Sequence, residues 1–199
     1  MLMVDTDPAA VERLLLAGEL SCPACCGVLR PWGHARWRSS RRENETVRHR
    51  PRRAACAGCA ETHVLLPASW LSRRADAVSV IGSALLAKAS GRVHRPIAAA
   101  LARAPSTVRG WLRRFAGRAE DVRVLFTRLL HDLDPEPAPL PVTGSGFADA
   151  LEVLGRAASA AVVRLSPGSP WEFAARASAG LLLAPPRAGA GRRTVSNTS

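Results

Sequence analysis

Lysine is almost absent: of the 28 basic residues only Lys88 is lysine, and the rest are arginine. Arginine carries a planar fork of donors suited to phosphates and base edges, which a lysine-rich surface lacks. Acidic residues are missing altogether between 77 and 118. That gap argues against a merely solvated helical surface, which would mix both signs. No apolar run is long enough to span a bilayer. Leu14–Ala17 is far too short, and the acidic segment before it lacks the basic start of a signal peptide. The expected location is cytoplasmic and nucleoid-associated. Also missing are a phosphate-cradling glycine loop, a Ser/His/Asp nucleophile set and the three separated carboxylates of a two-metal nuclease. Asp132, Asp134 and Glu136 crowd one helix end, where capping and solvation account for them. These absences speak against an enzyme, and no small-molecule substrate is evident.

What the chain does have is enough apolar material to fold. Its 199 residues are 47% hydrophobic, sufficient for one large domain or two small ones. The net charge of +12 favours a polyanionic partner. That surplus is local. Residues 22–75 hold eleven basic and three acidic groups, and residues 76–118 eight and one, whereas from 119 onward the signs balance.

Cys22-Pro23-Ala24-Cys25 and Cys56-Ala57-Gly58-Cys59 are two C-x2-C pairs. Each can form a tight turn presenting two thiolates to one ion, and together they supply the four soft ligands of structural Zn²⁺. Residues 22–59 lack helical periodicity and are too few to be stable on apolar burial alone, so a metal supplies what the unit lacks. With all four ligands from protein, no position is left open for hydrolytic chemistry. Two neighbours compete for the ion: Cys26, beside Cys25, and His63, four residues beyond Cys59. Cys26 also stands where such turns often use glycine for its positive φ. Trp32, Trp37 and Val47 are candidates for the ribbon's thin apolar face. Arg36, Arg38, Arg41, Arg42, Arg48, Arg50, Arg52 and Arg53 offer a second phosphate-binding surface, for which Arg36, Arg38, Arg48 and Arg50 are the chosen candidates.

Helical signals dominate elsewhere. Asp7-Pro8 opens a short helix that Gly18 ends, and Asp76 can cap a helix over 76–90 that Gly91 stops. Two short helices follow at about 95–102 and 106–116, joined by a turn at Arg103–Pro105. In the second, Val108, Trp111, Leu112 and Phe115 would face inward, leaving Ser106, Thr107, Arg109, Gly110, Arg113 and Arg114 on the open side. Arg109 and Arg113, four apart, can enter a major groove together. A further helix covers 119–133, with Val122, Leu125, Phe126, Leu129, Leu130 and Leu133 as its stripe. Beyond a Pro-rich linker, a helix begins near Phe147, and Ser169-Pro170-Trp171-Glu172 fits a capping box opening a last helix to about Leu183.

The cysteine pairs, Pro31-Trp32-Gly33-His34, the Arg-rich strand, Thr62-His63-Val64-Leu65-Leu66-Pro67 and Thr107-Val108-Arg109 with Trp111–Phe115 resemble an uncharacterised bacterial family. Its members join a zinc ribbon to a helix-turn-helix, and the same order resembles the N-terminal DNA-binding part of insertion-sequence transposases. The resemblance covers roughly residues 10–130 and implies DNA binding with a mobile-element origin. It establishes no reaction.

The expected architecture is mainly α with a small β zinc ribbon. It runs as an N-terminal helix (1–21), the zinc ribbon (22–75), the helix-turn-helix with its following helix (76–133), a Pro-rich linker (134–146), a C-terminal helical segment (147–184) and a disordered tail (185–199). The expected function is sequence-specific binding of double-stranded DNA, as a regulator or transposon-derived targeting factor, with C-terminal helices available for homodimerisation. The alternative is an adaptor for a protein partner, or an RNA-binding ribbon protein, assembled through those helices.

Overall fold

The computed structural model describes residues 1–141, 144–165 and 168–185. Except for Pro185, the tail expected to be disordered lies outside the described residues. In chain order the elements are β1 (Leu2–Val4), α1 (Pro8–Ala17), β2 (Leu29–His34), β3 (Arg38–Arg41), β4 (Thr46–His49), β5 (Arg52–Cys56) and β6 (Thr62–Pro67). They are followed by α2 (Val78–Ala89), α3 (His94–Ala100), α4 (Pro105–Ala116), α5 (Ala119–Leu133), α6 (Gly146–Leu165) and α7 (Pro170–Ala177). The fold is thus mixed α/β, with more strand than a lone ribbon hairpin.

One sheet has the order β1-β6-β5-β2, with β1 parallel to β6 and the other pairs antiparallel; β3 and β4 form a separate hairpin. Residues 1–21, expected as a separate helix, belong to this sheet's packing. Val4, Val11 and Leu15 share a core with Cys22, Leu29, Ala54, Cys56 and Leu65. The cap signals at α1 hold: the Asp7 carboxylate accepts from the N–H groups of Ala9 and Ala10, and Gly18 ends the helix at φ 74°.

A second core fills the helical part and includes Trp70, Ile81, Leu85, Ile97, Val108, Trp111, Phe115, Phe126, Leu130, Leu151 and Leu154. Strand alternation lets β6 serve both: Leu65 enters the first core and Leu66 the second. Helix α2 packs against α3, α4, α6 and α7. Gly82 is required there, because a methyl group at that position would run into the Trp171 ring. The described part of the linker is held down. Arg156 Nη1 donates to the carbonyls of Ala138 at 2.9 Å and Pro139 at 3.1 Å.

Three expectations need correction. Helix α7 opens with the capping box but ends at Ala177, not near Leu183; Gly180 turns the chain at φ 74°, and Leu182 and Leu183 are buried from beyond the helix. Asp76 caps nothing: Ala77 is the N-cap of α2, without a side-chain bond, and Asp76 is a buried ion-pair partner instead. Trp32 and Trp37 do not line an apolar face, since both are 59% exposed. The sheet has only its inner side covered, and on β2 only Leu29 is buried. The tryptophans buried in the core are Trp70 and Trp111.

Candidate metal centre and nucleic-acid interface

Two matched turns build the metal centre. In the first, Cys26 N–H donates to the Cys22 carbonyl at 2.9 Å and Cys22 N–H to the Gly27 carbonyl at 2.8 Å. In the second, Ala60 N–H donates to the Cys56 carbonyl at 3.1 Å and Cys56 N–H to the Glu61 carbonyl at 2.9 Å. Cys26 and Ala60 both sit at φ 60°, the left-handed conformation that tucks the chain back beneath its cysteines. The sequence marks the first of these positions. The second was not anticipated, because Ala60 carries no signal for positive φ.

The turns face each other at one end of the sheet. One precedes β2, and the other joins β5 to β6. Cys22 Sγ lies 3.8 Å from Cys59 Sγ, Cys25 Sγ lies 3.4 Å from Cys56 Sγ, and all four sulfurs fall within 4.8 Å of one another. A tetrahedral zinc with bonds of about 2.3 Å needs sulfurs roughly 3.8 Å apart. The donor set therefore fits such an ion. Gly27 keeps the space clear, as a Cβ there would come within 3.0 Å of the Cys56 sulfur.

Backbone N–H groups ready two of the four thiols, Cys22 and Cys56. The N–H groups of Cys59 and Gly58 hold the Cys56 thiol down to about 7, and that of Ala24 lowers Cys22. The N–H of Gly27 acts to lower Cys25 as well, but hydrogen bonding to Cys56 and Cys59 outweighs it, and Cys25 is pushed up to about 12. Such crowding favours a cation that takes the place of the shared protons.

His63 is buried beside this set. Its Nε2 lies 3.3 Å from Cys22 Sγ, while its Nδ1 lies 3.2 Å from the Met1 nitrogen. Held at Nδ1 by Met1, the ring turns Nε2 to the Cys22 sulfur, the place of a hydrogen-bonding neighbour of a metal ligand. His63 also groups with Cys22 and Glu61 as an alternative donor set. Cys26 is exposed and outside both groups.

The second region joins hairpin and helices. Helices α3 and α4 pack through Ile97, Ala98, Val108 and Trp111, with Leu112 and Phe115 also buried. The inward face of α4 is the one its spacing predicts. Ser106, Arg109 and Arg113 are exposed, whereas Thr107, Gly110 and Arg114 are half-buried, and the Arg114 side chain lies over Gly110.

The turn before α4 is anchored to the hairpin. Arg103 Nε donates to Asp76 Oδ1 at 2.6 Å, and Arg41 Nη2 donates to Asp76 Oδ2 at 2.9 Å. The remaining Arg103 donors reach the carbonyls of Leu101, Ala102 and Arg42. An arginine at this turn is therefore a buried clamp. Backbone bonds from Arg41 to Ala75 and from Ala77 to Arg41 fix the same junction.

The eight arginines expected on one ribbon surface divide. Arg41 pairs with Asp76, Arg42 with Glu45 and Arg52 with Glu12, and Arg53 donates to Thr62 Oγ1. Arg36, Arg38, Arg48 and Arg50 are exposed and enter no ion pair among the described residues. Arg48 lies over the Trp37 ring, 5.4 Å from its centroid, and Arg50 Nε donates to the Ala35 carbonyl. His49 stacks flat on Trp70 at 5.2 Å, and burial, with the Arg38 charge, lowers its pKa.

No helix among the described residues is long and apolar enough to cross a membrane. A scan against protein-family models and searches of curated proteins and of solved structures found no match to this chain, so the functional reading rests on the geometry just described.

Proposed function

We propose that this chain is a sequence-specific double-stranded DNA-binding protein without catalytic activity, stabilised by structural zinc at Cys22, Cys25, Cys56 and Cys59. The observation that carries the reading is the open face of α4. Arg109 and Arg113 stand exposed one turn apart, with Ser106 near the helix start, on an element whose other side is buried. Neither arginine has an ion-pair partner among the described residues. In this reading α4 is the recognition helix of a helix-turn-helix and enters the major groove. The arginines of the hairpin region hold phosphates, which positions the chain without reading sequence. The Arg103 clamp ties that hairpin to the turn before α4, so both surfaces act on one duplex. Val162 and Val163 on α6 are exposed and would support self-association through the C-terminal helices.

The test is selection of preferred DNA from a random pool, followed by comparison of Arg109→Ala with wild type. The variant should lose about 1–3 kcal/mol on the selected site and much less on random DNA. Log affinity should fall against log salt with a slope of about −0.9 per phosphate contacted. Equal losses on both DNAs, or a flat salt response, would refute base reading by α4.

A further inference from the structure

The exposed tryptophans are left without a role by duplex recognition. Trp37 borders a cleft of about 560 Å³ between α1 and the β4–β5 turn. That volume lies in the usual range of about 300–1,000 Å³ for small-ligand sites. Its floor is apolar, built from Val4, Val11 and Leu65, and its rim is basic, carrying Arg48 and Arg50. Trp37 is 59% exposed although it is the largest apolar side chain at the rim. The Arg48 guanidinium already lies over its ring, 5.4 Å from the centroid. His34 and His49 complete the aromatic part of the lining, and His49 is kept toward its neutral form by burial and by Arg38. The two carboxylates at the cleft are occupied: Glu12 is held by two donors of Arg52, and Asp5 by Arg176. They therefore leave the rim's positive sign intact.

We infer that this cleft binds an unpaired nucleotide, with its base stacked on Trp37 and its phosphate held by Arg48 and Arg50. An indole face accepts any base, and stacking of this kind contributes about 1–3 kcal/mol per base. A flat aromatic beside guanidinium groups suits an aromatic anion better than a purely apolar ligand or an inorganic phosphate. A duplex offers no free base face, so the ligand is a single strand, a junction or an extrahelical base. The inference stands on α1 and the sheet region that line the cleft and does not depend on base reading by α4.

The full-length, metal-loaded protein should bind the labelled 12-mers dT12 or rU12, measured by fluorescence anisotropy, and the two probes show whether DNA or RNA supplies the base. Trp37→Ala should weaken that binding about 5–150-fold, the range that stacking implies, while Trp37→Phe keeps most of it. Trp32→Ala, outside the cleft, should change it little. Arg109→Ala should leave single-strand affinity in place and reduce only duplex binding. The inference is overturned if neither oligonucleotide binds, or if Trp37→Ala binds as wild type does. It is equally overturned if Trp37→Ala weakens the selected duplex as much as the single strand. Loss of the Arg109 effect alone would remove the duplex reading and leave this one standing.

Discussion

Replacing Asp76 with alanine tests the clamp between hairpin and helices. Asp76 is 3% exposed and receives donors from two arginines, at 2.6 Å from Arg103 and 2.9 Å from Arg41. The two partners differ in what they lose. Arg41 has a side chain 46% exposed and can turn to solvent, whereas the Arg103 side chain is only 7% exposed and stays buried with its charge. Removing one member of a buried pair costs about 3–5 kcal/mol, chiefly because the other charge is left uncompensated. For a chain of this size that corresponds to a fall in Tm of roughly 10 °C. Asp76→Asn keeps the shape but gives up the charge and should fall in between. The double variant Asp76→Leu with Arg103→Met removes both charges and should recover most of the loss. Urea unfolding followed by tryptophan fluorescence reads all four proteins. An Asp76→Ala loss below about 1 kcal/mol, or a double variant no better than the single, would show that the ion pair does not hold the two parts together.

Metal analysis of freshly purified protein should give one zinc per chain, and chelator or Cys56→Ser should abolish it with loss of strand content in the far-UV circular dichroism spectrum; a metal-free protein with an unchanged spectrum would refute the centre. Gly82→Ala should destabilise by about 1–3 kcal/mol through overpacking against Trp171, whereas Gly82→Ala with Trp171→Leu should be milder; equal unfolding midpoints for Gly82→Ala and wild type would contradict the packing. His49 has a folded pKa below its unfolded value of about 6.5. It is therefore neutral and favourable above that pH, and stability falls as acidification proceeds from there through the folded pKa. His49→Phe keeps an aromatic ring against Trp70 and should flatten the slope of stability between pH 7 and 5; parallel slopes would reject the assignment.

The parts of the molecule that repeat at short range were legible from the sequence. Val108, Trp111, Leu112 and Phe115 fall on one side of α4 because the 3.6-residue period leaves them nowhere else to go. The cysteines come together because their turns are local and the pairs share one chemistry. What failed was what depends on distant partners. Asp76 sits where a helix cap belongs, yet Arg103, 27 residues away, determines its place. Hydropathy assigns Trp32 and Trp37 to a core, but nothing in it says which side of the sheet the rest of the chain will cover. His63 was marked as a neighbour of the cysteines by its closeness to Cys59, but that it lies against Cys22 follows from the pairing of β5 with β6.

Neighbouring side chains on β6 point to opposite interiors, so no cut through the backbone separates one part of this molecule from the other cleanly. A fragment ending near residue 75 would lay bare Leu66 and Trp70, and one beginning there would lack the wall against which α2 and α7 rest. Expressing the pieces alone should yield sticky, poorly behaved material. Grafting the cysteine-bearing end onto another reader would require carrying part of its helical neighbour along.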